Sequence, residues 1–147
     1  MNKTYSPKPR DLTADWYLVD ADNQVLGRLA SQVAQLLMGK HKSSFAPHLN
    51  TGDFVVVTNA SKIKVTGNKL TDKQYYHHSG YPGGIKQISL EHQLQKDPAE
   101  VIRTAVKGML PKNRLQDDRL NRLKIYASAE HPHAAQKPQL TGVHHGR

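Results

Sequence analysis

The fold is decided by WYLVD (16–20), LGRLASQVAQLL (26–37) and FVVVT (54–58), three apolar segments that follow one another along the chain. The first is short and rich in β-forming residues, which predicts a strand. In the second, apolar residues recur at spacings of three and four, which predicts a helix that Gly39 is suited to end. The third is continuously apolar and β-branched, as parallel strands covered on both faces are. The three segments therefore predict a βαβ unit with a right-handed crossover.

The segment 61–87 is rich in Gly, Lys, Tyr and His and has no helical stripe. Its KIKV (62–65) alternates, so we expect a short strand followed by an irregular loop or a hairpin. The glycines at 80, 83 and 84 either allow a close backbone approach or form a plain tight turn.

A second helix is predicted to begin after Asp97, because Asp97, Pro98 and Glu100 supply an N-cap, a first-turn proline and a capping-box acid. We expect Pro111 to stop this helix, a basic helical piece to follow at 113–122, and LKIYA (123–127) to form the last strand. The buried stripe of the helix is expected to be Val101, Ile102, Ala105, Val106 and Met109. These elements predict an N-terminal tail (1–15), an α/β domain (16–127) and a C-terminal extended arm (128–147).

Composition narrows the class of protein. The 147 residues carry a formal net charge of +9, and the pI is near 9.8. Such a basic chain favours a polyanionic partner, either nucleic acid or an anionic membrane surface. The sequence has no cysteine, which excludes disulfide scaffolds, thiolate zinc sites and thiol catalysis. No apolar run reaches 18 residues and the N-terminus lacks an apolar signal region, so we expect neither a membrane span nor a signal peptide.

The sequence lacks the motifs of phosphate-binding enzymes and of Gly-x-Ser-x-Gly hydrolases. The turn 20–27 between the first strand and helix has one glycine, without a dinucleotide fingerprint or P-loop, and TGNKLT (66–71) resembles the latter only superficially. The acids at 11, 15, 20 and 22 are read either as a catalytic cluster or as solvated strand-end charges, and no histidine lies nearby in sequence. We therefore predict no catalytic residue, no cofactor and no small-molecule substrate.

The nine histidines raise the question of a metal site. The pairs His77–His78, His131–His133 and His144–His145 do not have the spacing of a chelating pair on a helix. The alternative is that these imidazoles contact phosphates and bases. We predict no metal site.

Basic residues occur in groups. Six cations against two carboxylates lie between Lys107 and Lys124, further cations follow the first helix, and lysines precede the aromatic run 75–78. A solvated helix face, or cations that complement a helix C-terminus, would explain single groups. The repetition of the pattern, with cations interleaved with flat rings, is what RNA contacts require.

Several long strings now become recognisable: DWYLVDADNQVLGRLASQVAQLL, GKHK, TGD, VTGNKLTDKQYYHHSGYPGG, VKGMLPKN and LKIYASAEHPHAAQ. In order, from about Trp16 onward, they resemble the bacterial-type large-subunit ribosomal protein thirteen family. The resemblance implies an α/β fold: a single compact domain with a small, mainly parallel sheet of about four strands flanked by helices, and extended basic loops and tails. It also implies a core that includes Trp16, Leu29, Val33, Val55, Val57, Val106 and Ile125.

The resemblance implies a structural constituent of the large ribosomal subunit that binds its ribosomal RNA, supports subunit assembly, meets neighbouring ribosomal proteins and has no catalytic activity. The implied location is the cytoplasm, in a bacterial-type ribosome. An organelle ribosome, and regulatory binding of messenger RNA by the same surface, stay open as alternatives. The RNA-contacting residues are expected to be Arg28, Lys40, His41, Lys42, Lys69, Lys73, Tyr75, Tyr76, His77, His78, Lys107, Lys112, Arg114, Arg119, Arg122, Lys124, His131 and His133.

Overall fold

A computed structural model of the chain describes residues 5–141. Short 3-10 turns lie at Pro9–Asp11, Ala60–Lys62 and Ala134–Gln136. The helices and strands follow one another as β1 (Trp16–Asp20), α1 (Leu26–Met38), β2 (Phe54–Thr58), α2 (Lys69–Asp72), β3 (Gln74–His78), β4 (Ile85–Ser89), α3 (Leu90–Lys96), α4 (Pro98–Met109), α5 (Leu115–Asn121), β5 (Leu123–Ile125) and β6 (Gln139–Leu140).

The main sheet has four strands in the order β5-β2-β1-β6, and each neighbouring pair is parallel. β1 and β2 are adjacent, with Trp16 opposite Phe54. This arrangement confirms the two predicted strands and the parallel βαβ pairing. The last predicted strand is shorter than expected and ends at Ile125.

Helix α1 forms because its apolar residues fall on one face, where Leu29, Val33 and Leu37 are fully buried. It ends, as predicted, at Gly39, whose φ of 79° is the left-handed conformation that favours glycine. The chain then returns closely past the helix end at Gly52, where an added Cβ would lie 1.7 Å from the Leu37 carbonyl oxygen. Glycine is therefore required at this crossing.

Helix α4 begins where predicted, because the Asp97 carboxylate accepts hydrogen bonds from the Ala99 and Glu100 backbone N–H groups. α4 packs against α1, and the core they share includes the sheet residues Val19, Val55 and Val57. Burial of each such side chain stabilises the fold by about 1.5–3 kcal/mol. Among the described residues, no helix is long and apolar enough to cross a membrane.

The other face of the sheet carries aromatic residues. Trp16 and Phe54 begin β1 and β2 and stack with ring centroids 4.6 Å apart, and the His133 ring lies 5.2 Å from Trp16. Trp16 and Ile125, both expected in the core, are only half-buried. Within the arm expected from Ser128 onward, the described residues form a 3-10 turn and then β6, which pairs with β1.

The region between β2 and α4 was predicted least completely. The expected hairpin is present, since β3 and β4 pair antiparallel. KIKV is not a strand, because Ala60–Lys62 is a 3-10 turn and Lys64 forms only an isolated bridge with Val25. The short helices α2 and α3 were not predicted.

Candidate nucleic-acid interface

The residues expected to contact RNA differ in how much solvent they meet. Arg119 is only 2% exposed, so the expectation of a surface position is wrong for this residue. Lys42, Tyr75, Arg122, Lys124, His131 and His133 are half-buried. The exposed members are Arg28, Lys40, His41, Lys69, Lys73, Tyr76, His77, His78, Lys107, Lys112 and Arg114.

One surface feature brings many of the exposed members together. Three adjoining cavities, with volumes of about 650, 530 and 490 Å³, share Thr104 of α4 in their walls. We call them together the α4 groove. Its lining includes six lysines and two carboxylates, namely Lys69, Lys73, Lys86, Lys96, Lys107 and Lys112 with Asp72 and Glu100.

The lysines of the α4 groove make few interactions with other side chains of the protein. Within residues 5–141, none of the six forms an ion pair with a carboxylate. Lys73 has a ring contact instead, since its Nζ lies 5.3 Å from the centre of the Tyr75 ring. The Glu100 carboxylate already has a partner within the protein, since it accepts a hydrogen bond of 3.2 Å from the Thr104 hydroxyl. The groove therefore presents a net positive charge to solvent.

The β3–β4 hairpin forms one wall of the α4 groove. Tyr75 is half-buried and packs against the core; burial, and then the charge of Glu100, raise the pKa of its hydroxyl. The turn at the tip is tight, with the Gly84 N–H donating to the Tyr81 carbonyl oxygen. Gly80 and Gly83 have positive φ values of 86° and 69°, so the glycines serve the turn itself.

A second group of predicted contacts lies at the amino end of the sheet. Because the strands are parallel, Asp15, Asp53 and Arg122, which directly precede β1, β2 and β5, come to the same edge. The Asp53 side chain is fully buried; its Oδ1 lies 2.5 Å from Lys42 Nζ and its Oδ2 lies 2.7 Å from His41 Nε2. The Asp15 N–H also donates to Asp53 at 2.9 Å. We call Asp15, His41, Lys42, Asp53 and Arg122 the Asp53 cluster.

The cations of the Asp53 cluster bind to groups of the protein itself. Lys42 Nζ also donates to the Thr13 carbonyl oxygen at 2.7 Å, so it ties the N-terminal segment to β2. Arg122 donates to the Gly52 carbonyl oxygen, and its guanidinium lies 5.2 Å from the centre of the Phe54 ring. These contacts give Lys42 and Arg122 a structural role that their sequence positions did not reveal.

Arg119 is the most enclosed cation. Its guanidinium Nη2 donates at 3.5 Å to the Leu49 carbonyl oxygen, and its Nε is buried without a hydrogen-bond partner. Burial, and then the positive charge of Arg122, lower the pKa of Arg119 below its ordinary value.

The half-buried histidines also have internal partners. The His133 Nε2 and the Tyr126 hydroxyl are 2.7 Å apart, and the His133 N–H donates to His131 Nδ1. In the part of the chain that the structure describes, no group of three or more His, Asp or Glu side chains is placed to hold a metal ion. His144 and His145 lie outside the described residues.

Sequence reasoning missed three residues that matter for these sites. Lys86 and Lys96 line the α4 groove but stand alone in the sequence. Alternation across the predicted hairpin would have placed Lys86 beside the aromatic run, since it pairs with His77. Asp53 carries no such signal, because its N–H partner Asp15 lies 38 residues away.

The fold and the α4 groove define a small basic α/β protein whose accessible surface suits a polyanion. Residues 14–132 match the family model described as Ribosomal protein L13. This chain belongs to the ribosomal protein L13 family, as the resemblance indicated. A member of this family is a structural ribosomal protein and not an enzyme.

Bacterial relatives show how far the similarity extends. The chain is 58% identical over 141 residues to large ribosomal subunit protein uL13 of Nitratidesulfovibrio vulgaris, covering 96% of this chain and 98% of that protein. It is 57% identical over 137 residues to large ribosomal subunit protein uL13 of Pseudomonas paraeruginosa, covering 93% of this chain and 96% of that protein. The similarity therefore spans nearly the whole length of each.

Proposed function

We propose that this chain is a constituent of the large ribosomal subunit in a bacterial-type ribosome of the cytoplasm, where it binds large-subunit ribosomal RNA and supports assembly. The observation that carries the RNA-binding part is the α4 groove, whose six lysines are without carboxylate partners in the described residues. Membership of the ribosomal protein L13 family and the names of its bacterial relatives support the ribosomal part. Neighbouring large-subunit proteins would meet the remaining surface.

The proposed contact is electrostatic in origin. Each lysine that neutralises a phosphate releases condensed counterions, so the logarithm of affinity falls with the logarithm of salt concentration by about 0.7–0.9 per phosphate. Six groove lysines predict a slope of about −4 to −5 for an RNA fragment of the large subunit. Exposed predicted contacts outside the groove, such as Arg28, Lys40 and Arg114, would add to this slope.

The domain boundaries also belong to this proposal. Residues 16–127 are proposed as the folded domain, with tails at 1–15 and 128–147. Two contacts support an attachment of these tails at the sheet: Thr13 accepts a hydrogen bond from Lys42, and Thr141 donates its N–H to the Leu18 carbonyl oxygen.

Sedimentation tests the ribosomal assignment. The tagged chain is expressed in a bacterium, and the lysate is separated at low magnesium, where the ribosomal subunits dissociate. We expect the chain in the large-subunit fraction. Recovery only at the top of the gradient or with the small subunit would contradict the proposal. Competition between large-subunit RNA and the chain's own messenger RNA, at equal salt, tests whether the regulatory alternative shares the surface.

A further inference from the structure

The β3–β4 hairpin carries an exposed face that neither the core nor the described cations account for. In its register, Tyr76 pairs with Gln87 and His78 pairs with Ile85. Side chains alternate between the two faces of a strand, so these four residues share one face. We call it the outer hairpin face. Tyr76 is 66% exposed and Ile85 is 65% exposed, although both have large apolar surfaces.

The two faces of the hairpin have different surroundings. The alternate residues Tyr75 and Ile88 form a cross-strand pair, and Tyr75 packs against the core. Both faces border the α4 groove, since Tyr76 and Gln87 line it together with Tyr75 and Ile88. This inner pair anchors the hairpin to the domain. The outer hairpin face is largely exposed instead, and an exposed apolar and aromatic patch of this kind marks an interaction site.

The charge around the outer hairpin face selects its partner. From Lys73 to Leu90 the chain has no Asp or Glu, whereas Lys73 and Lys86 are both present and exposed. An anion that also offers a flat apolar surface fits this combination. Unpaired nucleotides have both properties, because their bases stack on aromatic rings and their phosphates meet cations. A base-paired helix hides its bases and does not fit.

We propose that the outer hairpin face binds unpaired nucleotides of RNA, with bases stacked on Tyr76 and His78. The adjoining phosphates then pass over the edge of the hairpin toward Lys73 and Lys86, which lie on the groove side. The inference rests on the proposed function and deepens it. The α4 groove supplies contacts to the phosphate backbone, and the outer hairpin face adds a requirement for single-stranded bases.

Three RNA probes of equal length separate base contacts from phosphate contacts. They are a 12-nucleotide RNA without secondary structure, the same sequence as a duplex, and an abasic ribose-phosphate 12-mer. Binding to the full chain is measured by fluorescence anisotropy at one salt concentration. We expect the unpaired RNA to bind about 5- to 30-fold more tightly than the abasic chain, in the range of one or two stacked bases.

The variant Tyr76→Ala is expected to lower the affinity for unpaired RNA by about 5-fold or more, the share of one stacked base, while Tyr76→Phe keeps the ring and the affinity. Tyr5, which is 70% exposed and lies outside the hairpin, supplies the matched control Tyr5→Ala. This control is expected to bind like the wild type. Because Tyr76 is mostly exposed, its variants are expected to fold normally, which a thermal melt checks.

Equal affinity of wild type and Tyr76→Ala for unpaired RNA would overturn the inference. If large-subunit RNA still bound with a steep salt dependence, the proposed function would stand without it. A Tyr76→Ala variant that binds RNA normally but no longer binds a neighbouring large-subunit protein would reassign the face to protein contact. A wild type that binds neither these probes nor large-subunit RNA would remove both proposals.

Discussion

The α4 groove and the amino end of the sheet contain the same kinds of residue in opposite circumstances. At the sheet, Lys42 is held by the buried Asp53 and Arg119 is 2% exposed. In the groove, lysines such as Lys107 and Lys112 are exposed and have no carboxylate partner in the described chain. A cation that is paired with a buried carboxylate, as Lys42 is, or enclosed by the protein, as Arg119 is, is not free for a phosphate. The difference shows that partners and burial, rather than the density of basic residues in the sequence, define an RNA-binding surface.

The largest effect is expected from Asp53→Asn. This substitution keeps the shape of the side chain but removes the buried negative charge that faces Lys42 and His41. Breaking one partner out of such a pair costs about 3 kcal/mol, and urea unfolding measures the loss. The matched control, Asp118→Asn on the exposed surface of α5, is expected to stay within about 0.5 kcal/mol of wild type. Equal losses in the two variants would remove the distinction between the regions.

Variants of Arg119 test whether this buried cation stabilises the fold through its charge or through the volume that it fills. Arg119→Ala leaves a cavity and is expected to lower the free energy of unfolding by about 2–3 kcal/mol. Arg119→Met fills the same space and removes a buried charge that has few hydrogen-bond partners. We therefore expect its stability to lie within about 1 kcal/mol of wild type. Thermal or urea unfolding of both variants compares them. If the Met variant were as unstable as the Ala variant, the guanidinium itself would stabilise the fold.

Arg119 also shows what could not be predicted from the sequence. Strands β1 and β2 and helices α1 and α4 were predictable because apolar periodicity, the Asp97 cap and the Gly39 stop are local signals. Helix α3 was missed because only Leu90 and Leu94 mark its apolar side. Arg119 looked like a surface cation because hydropathy assigns charge to the surface, whereas tertiary packing decides burial.

The α4 groove was predicted in part. Lys69, Lys73, Lys107 and Lys112 stood out as members of basic segments, and the structure places them in the lining of adjoining cavities. Lys86 and Lys96 did not stand out, because their proximity depends on the hairpin register and on how α3 meets α4. The packing of α3 against α4 leaves no periodic trace in the sequence, whereas the alternation of the hairpin is a signal that marks Lys86.

Smaller effects on stability and RNA affinity are expected to distinguish Lys42 from Lys112. Lys42→Gln removes a contact to Asp53 and to the Thr13 carbonyl oxygen but leaves His41 beside the carboxylate, so we expect a loss of about 2–3 kcal/mol in stability and little change in RNA affinity. Lys112→Gln is expected to do the reverse: a stability within about 0.5 kcal/mol of wild type and a weaker RNA affinity. Urea unfolding and RNA titration of both purified variants measure the two quantities. Similar behaviour of the two lysines would contradict the comparison.

The most direct test compares salt slopes for binding of a large-subunit RNA fragment. The groove variant combines Lys86→Gln, Lys96→Gln, Lys107→Gln and Lys112→Gln, and the internal variant combines Lys42→Gln with Arg119→Met. We predict that the groove variant reduces the slope by about 3–4, because up to four phosphate contacts are lost, and that the internal variant keeps the wild-type slope. An unchanged slope in the groove variant, or a reduced slope in the folded internal variant, would contradict the assignment of RNA binding to the α4 groove.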